Sequence, residues 1–226
     1  MGFLKLFFSS KSKSEEKILE LSSEEFDKIK FKARIALIDD EEVTHVDRLS
    51  SDGYNITHFP DIDKIDDFVR KKYDVVILDI QGIGKKLSPT SEGWGVLKYI
   101  KNEYPHIVVI MFTGAEWSIT KYKDQASLAD DFIGKDLEFL DFKAKLDAGI
   151  RKAFSPAYHF EIEKKKLIAG INNAQTFQKV DETIHMYGRN RSKAIKELKK
   201  ITSDSSVLQT VDNYLSIVSS IFSLTS

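Results

Sequence analysis

The chain has no cysteine, which excludes disulfides, thiolate nucleophiles and cysteine-ligated metals and fits a reducing, cytoplasmic setting. It has almost no net charge, −1 from 34 basic and 35 acidic residues, so nothing drives it as a whole toward nucleic acid or a membrane surface. No apolar run reaches the roughly 20 residues that a bilayer-crossing helix needs. The apolar start, Met1-Gly2-Phe3-Leu4-Lys5-Leu6-Phe7-Phe8, is too short to span and lacks the basic-apolar-small order of a signal peptide. It reads as a frayed or self-packed terminus, with a weak surface anchor as the rival. There is no repeat at solenoid periods. There is also no glycine-rich phosphate loop after the first strand, where Asp39-Asp40-Glu41-Glu42 would repel an anion, and that weakens an enzyme on a nucleotide-binding sheet.

What is present is an ordinary globular composition, 42% apolar and 31% charged with 15 Phe, in 226 residues. That length suits one typical domain plus an appendage. Residues 1–30 read as a lead-in: Ser9 to Ser14 is a solvated Ser/Lys linker, and Ser22-Ser23-Glu24-Glu25 has the capping-box pattern of a short helix. From Lys32 the texture changes. Ala33 to Ile38, Val75 to Ile80 and Ile107 to Phe112 are near-continuous apolar runs of strand length, as expected for strands buried on both faces of a parallel sheet. Tyr54 to Phe59 and Asp131 to Gly134 are weaker strand candidates. Between them Val43, Val46 and Leu49, then Ile62, Ile65 and Val69, then Val96, Leu97 and Ile100, and last Leu140, Leu146 and Ile150 recur at helical spacing. This βαβαβαβαβα order predicts an α/β fold over 31–155, a doubly wound five-stranded parallel sheet with right-handed crossovers and any ligand at the carboxyl ends of the strands. After Ser155-Pro156 only helical patterns remain, near 157–171, 174–187, 190–202 and 205–223, so 156–226 reads as an all-α domain.

The strand ends carry the chemistry. Asp39-Asp40 follows the first strong strand, Asp79 ends the second, Thr113 follows the third and Lys135 follows the last weak one, so all five converge on one rim. Three carboxylates together repel unless a cation shares the site, and an oxygen-only ligand set suits Mg²⁺. Three carboxylates, one Mg²⁺ and one Lys sum to zero charge, so the site can receive a phosphoryl group. Asp79 is then the candidate nucleophile, Lys135 a charge stabiliser, and Thr113 a hydroxyl able to turn toward new phosphoryl oxygens. An Asp-Asp pair alone would read as no more than a helix N-terminus, Thr113-Gly114 as a turn and Lys135 as a surface charge; the combination outweighs those readings.

With these residues in place, the chain resembles the receiver domains of two-component response regulators. The resemblance rests on Asp39-Asp40 in IDDE, Asp79 in VILDI, Thr113 in FTG and Lys135 in FIGKD, in that order. It implies a flavodoxin-like fold, phosphorylation of Asp79 by a histidine kinase or phosphotransfer protein, and no catalysis beyond the chain's own phosphoryl transfer and hydrolysis. It also implies that Asp40 ligates Mg²⁺ directly, that Asp39 acts largely through water, and that the Gln81 backbone carbonyl completes the protein ligands. Phe132, three residues before Lys135, stands where the family has an aromatic that swings inward with the Thr on activation; as an ordinary core residue it needs no such role. Three features depart from the pattern. Asp136 replaces the usual proline after the lysine. The stretch from Gln81 to Glu92 is about six residues longer than usual; lying over the site it would gate access or read a partner, and surface loops also accept such elongation neutrally. Gln81 and Ala115 stand at positions that in the family tune how quickly the acyl phosphate hydrolyses.

In the tail, His185 reads as a satisfied or surface histidine. Lys164-Lys165-Lys166 and Arg189 to Lys200 suggest a nucleic-acid patch at first sight, but from Arg151 onward the chain is only mildly basic and shows no clear helix-turn-helix spacing. Solvated helix faces explain the charge better. The apolar positions of Val207 to Leu224 suit closure of a small bundle, or pairing with a second copy or a partner protein. The expected output is thus a change in tail docking, dimerisation or partner binding after the Thr113 and Phe132 rearrangement. The rivals are a DNA-binding transcription regulator and a receiver-like interaction scaffold that needs no phosphate.

Overall fold

The computed structural model describes residues 21–114, 121–171 and 173–225. The apolar start, the Ser/Lys linker and Ala115 lie outside the described residues. The chain divides into two compact units, residues 26–153 and residues 1–25 with 154–226. The division falls at 25/26 and 153/154, where the sequence reading places breaks at 30/31 and 155/156. Helix α1 (Ser23–Ile29) straddles the first of these, with Phe26 and Ile29 buried. It opens with the expected capping box: Ser22 Oγ accepts the Glu25 N–H at 3.2 Å and the Glu25 carboxylate accepts the Ser22 N–H at 2.8 Å.

Unit 26–153 is built on five strands, β1 (Arg34–Ile38), β2 (Asn55–Phe59), β3 (Val75–Asp79), β4 (Val108–Thr113) and β5 (Asp131–Gly134). They are all parallel, in the order β2-β1-β3-β4-β5. Every residue of β3 and β4 is buried, which is why those two runs lack the alternation of a one-sided sheet. The helices that cover the sheet are α2 (His45–Ser51), α3 (Ile65–Val69), α4 (Gly93–Glu103), α5 (Lys123–Ala126) and α6 (Phe139–Ala153). Ala36, Ile38, Val76, Leu78, Val109 and Met111 point to one face and pack with Phe68, Trp94, Leu97 and Ile100. The alternate residues point to the other face, where Phe112 meets Phe142 of α6 edge to face at 5.8 Å.

Three details differ from the periodicity. Helix α3 begins at Ile65, so Ile62 enters the core from the preceding turn. Helix α5 is a single turn, too short to carry a periodic signal. Leu140 is 71% exposed, because α6 turns Phe142, Leu146, Gly149, Ile150 and Ala153 inward and leaves its first turn outside that stripe.

The second unit is helical beyond residue 154: α7 (Pro156–Gly170), α8 (Ala174–Tyr187), α9 (Arg191–Leu198) and α10 (Ser205–Ser223). Each start has a side-chain cap, from Ser155, Asn173, Asn190 and Asp204, and Pro156 sits in the first turn of α7, where its missing N–H costs nothing. Helix α9 stops at Leu198, short of the expected 202, and Lys199 to Ile201 form the turn that leads to Asp204. Val207, Val211, Tyr214, Leu215 and Val218 of α10 are buried with Phe160, Leu167, Val180, Ile184 and Leu198. At about 1.5–3 kcal/mol per fully buried aliphatic side chain, this face is committed to the unit's own core. No helix among the described residues is long and apolar enough to cross a membrane.

Candidate functional site

In the order β2-β1-β3-β4-β5 the chain moves outward from β1 to β2, then crosses to β3 and continues the other way. The carboxyl ends of β1 and β3 therefore flank a crevice that no connection covers, the place where open α/β sheets bind ligands. Asp39 leaves β1 there and Asp79 ends β3 there. Both are buried, 0% and 3% exposed, while Asp40 is exposed. One carboxylate oxygen from each of the three lies within 4.8 Å of the others.

Lys135, just past β5, reaches across to this cluster. Its Nζ stands 2.9 Å from Asp39 Oδ2, 3.1 Å from Asp79 Oδ2 and 3.5 Å from Glu41 Oε2. Thr113 closes β4 as its neighbour: its side chain is buried, and its carbonyl accepts the Lys135 N–H at 3.3 Å. Phe132 lies further back on β5, half-buried against the core, with its ring 6.4 Å from that of Trp94. The structure thus gathers Asp39, Asp40, Asp79 and Lys135 at one point, sets Thr113 at the adjoining strand end, and leaves Phe132 in the layer beneath.

The electrostatics are those of a site short of positive charge. Burial pushes the Asp79 carboxyl upward, the Lys135 ammonium pulls it down and Asp39 pushes it up again; the net is a rise from 3.8 to about 6. Burial acts to lower the Lys135 value, but Asp39 and Asp79 outweigh it and hold that ammonium well above the ordinary lysine range. Asp39 Oδ1 accepts the Glu41 N–H at 2.9 Å and Asp79 Oδ1 accepts the Ile80 N–H at 2.7 Å. Asp39 Oδ2 is buried and meets Lys135 as an ion pair without an aligned donor, so it has lone-pair capacity to spare. Three carboxylates against one ammonium, with an under-used buried oxygen, fit a divalent cation with a preference for oxygen ligands. The residues present therefore match the metal that the sequence implies.

Unit 26–153 is similar to a response-regulator receiver domain. No family model matches the chain. An uncharacterized transcriptional regulatory protein, YcbL of Bacillus subtilis (strain 168), is 29% identical over 136 residues, which is 58% of this chain and 57% of that protein. The match thus spans little more than half the length of that curated relative. Among solved structures, the receiver domain of NtrX from Brucella abortus is 22% identical and covers 51% of this chain and 97% of its own, with a TM-score of 0.42. Response regulator TrrA from Thermotoga maritima, solved in complex with Mg²⁺-BeF, is 24% identical and covers 52% of this chain and 98% of its own, with a TM-score of 0.43.

The receiver-like unit also holds site residues that the sequence reading does not pick out. His58 on β2 donates from Nε2 to the Asp39 carbonyl at 2.8 Å and so fixes the backbone that carries the first acidic pair. Gly93 lies so close to the end of β3 that a Cβ there would overlap the Asp79 carbonyl. Glu92 takes the Gly82 N–H on its carboxylate at 2.7 Å. The glycine entered the sequence reading only as the residue that follows the long stretch from Gln81 to Glu92, and the other two had no signal, because their partners are fixed by the fold. The Gln81 side chain is exposed, and the role implied for this residue belongs to its backbone.

Proposed function

We propose that this chain is the response-regulator partner in a phosphoryl relay, with a phosphohistidine of a histidine kinase or phosphotransfer protein as donor. The observation that carries this reading is the convergence of Asp39, Asp40, Asp79 and Lys135 at the sheet's switch point. An Asp79 carboxylate oxygen bonds to phosphorus as the P–N bond of the phosphohistidine breaks; the electron pair returns to the imidazole, which takes a proton from solvent. Asp40 and Asp79, with Asp39 largely through water and, as the resemblance implies, the Gln81 carbonyl, would hold Mg²⁺, which would supply neutralisation of charge on the transferring oxygens. Lys135, already 3.1 Å from Asp79 Oδ2, adds the second cationic contact. The Thr113 hydroxyl offers a hydrogen bond that exists only after transfer, and Phe132 is the neighbouring side chain whose packing would respond.

The signal then passes to the helical unit as altered binding to a protein partner or a second copy, in the cytoplasm. The basic side chains of Arg189 to Lys200 favour this over nucleic acid, since several are already engaged. Arg191 pairs with Asp212 at 2.7 Å, Lys200 with Glu197 at 2.7 Å and Arg189 with Glu25 at 3.0 Å. The decisive experiment is incubation of the purified chain with phosphoramidate and Mg²⁺, followed by intact mass spectrometry. Addition of about 80 Da that requires both Mg²⁺ and Asp79 supports the reading. No addition to the wild-type chain, under conditions that modify an established receiver, refutes it and leaves a phosphate-independent scaffold.

A further inference from the structure

The geometry points to Glu92 as a positioning residue for the cation site, an inference that rests on the phosphoacceptor reading. Gln81 to Glu92 is a long connection whose two ends are tied together. The Glu92 carboxylate accepts the Gly82 N–H at 2.7 Å, and the Gly93 N–H bonds the Ile80 carbonyl at 3.1 Å. Further along, the Gly84 N–H donates to Asp61 Oδ1 at 2.6 Å. The neck of the loop is therefore a closed ring, and it begins at Ile80, the residue after Asp79.

Gly82 is where this ring meets the site. Its φ is +85°, and a Cβ there would overlap the Asp40 carboxylate. Asp40 is the one exposed member of the acidic cluster, so the Gly82 backbone beside it limits where its oxygens can point. The peptide held through the Gly82 N–H also carries the Gln81 carbonyl. Because that group is planar, fixing its N–H fixes the direction of its oxygen. Glu92 itself has φ 47° and ψ −128°, a region that favours glycine. A glutamate held in such a conformation is explained by what its side chain does. Glu92 thus braces both the Asp40 carboxylate and the 81–82 peptide without touching the metal or the phosphoryl group.

The test uses the full chain with Mg²⁺ alone as probe. Binding is followed by tryptophan fluorescence, to which Trp94, buried two residues beyond Glu92, contributes together with Trp117, and Gly82 amide exchange is read separately without metal. Glu92→Gly removes the carboxylate and suits the backbone, so it should weaken Mg²⁺ binding by about tenfold. It should also expose the Gly82 amide to exchange in the metal-free protein. Glu92→Gln keeps an acceptor oxygen and should restore both towards wild type. Asp40→Asn reports on the site itself and should abolish binding. Wild-type affinity in Glu92→Gly, with binding lost in Asp40→Asn, overturns the brace and leaves the phosphoacceptor reading standing. Glu92→Gln as weak as Glu92→Gly shows that the charge acts directly, which overturns the brace as well. A wild-type chain that does not bind Mg²⁺ removes the cation site and the brace with it.

Discussion

Asp79→Asn should make the protein more stable, and more so at neutral pH than in mild acid. The Asp79 carboxyl titrates near 6 in the folded protein rather than at its ordinary 3.8, chiefly because it is buried. A group raised in this way binds its proton more tightly in the native state than in the unfolded chain, so stability falls as pH rises from about 4 through 6. At about 1.4 kcal/mol per pH unit, the full cost above pH 6 is about 3 kcal/mol. Asparagine keeps the shape and cannot ionise. It also deprives Lys135 of one of its partners, so the net gain expected at pH 7.5 is about 1–3 kcal/mol. The pH dependence is the sharper quantity, because packing changes do not titrate: between pH 5 and 7.5 the gain should grow by about 1.4 kcal/mol. Urea unfolding of wild type and variant in EDTA, followed by tryptophan fluorescence at both pH values, measures it. A variant that is less stable at pH 7.5, or a difference that is flat with pH, would refute the claim that Asp79 is a strained, under-neutralised carboxylate. Adding Mg²⁺ should then raise the midpoint of the wild type more than that of the variant, since ligand linkage acts through the carboxylate that has been removed.

Other perturbations test separate parts of the receiver-like unit. Lys135→Ala should slow phosphorylation by phosphoramidate about 100-fold while Mg²⁺ binding survives, read from the time course of intact mass. Asp130→Ala should cost about 3 kcal/mol in urea unfolding, because Asp130 Oδ2 holds the largely buried Lys101 ammonium at 2.8 Å and the Val109 N–H at 2.7 Å; an effect below about 1 kcal/mol would show that Lys101 escapes to solvent. Gly93→Ala should destabilise by about 2 kcal/mol or more, since the new methyl group meets the Asp79 carbonyl; wild-type stability would mean that the end of β3 yields easily.

Much of the sheet was legible in the sequence, because strands buried on both faces leave a mark that no amphipathic helix imitates. Val75 to Asp79 and Val108 to Thr113 carry no polar residue before the final position, and the structure buries every side chain in them. The shortest element was not legible: helix α5 is four residues long, a length at which a period of 3.6 cannot be told from coincidence, whereas α3, five residues long, was marked by Ile65 and Val69 with only Ile62 falling outside it. Leu140 shows the converse error: helical spacing alone placed it with Leu146 and Ile150, but the buried stripe of α6 starts at Phe142, and the Leu140 side chain is left in water.

The acidic site was legible for a topological reason. A parallel sheet sends every strand's carboxyl end to one rim, so residues 40 to 96 positions apart in sequence, such as Asp39, Asp79 and Lys135, become neighbours by rule rather than by accident. Glu92 obeys no such rule. It lies before Gly93 in a stretch that reads as a turn, and its importance depends on a hydrogen bond back across ten residues to Gly82. Closing a loop of a dozen residues costs little more than closing one of half that length, about 0.6 kcal/mol per doubling, so length alone says nothing about rigidity. One charge-assisted hydrogen bond, of about 1.5–3 kcal/mol, is enough to outweigh that difference. The long connection between Asp79 and α4 is therefore better understood as a braced wall of the acidic site than as a flap over it, and the side chain that braces it is the one whose backbone conformation glycine would have suited better.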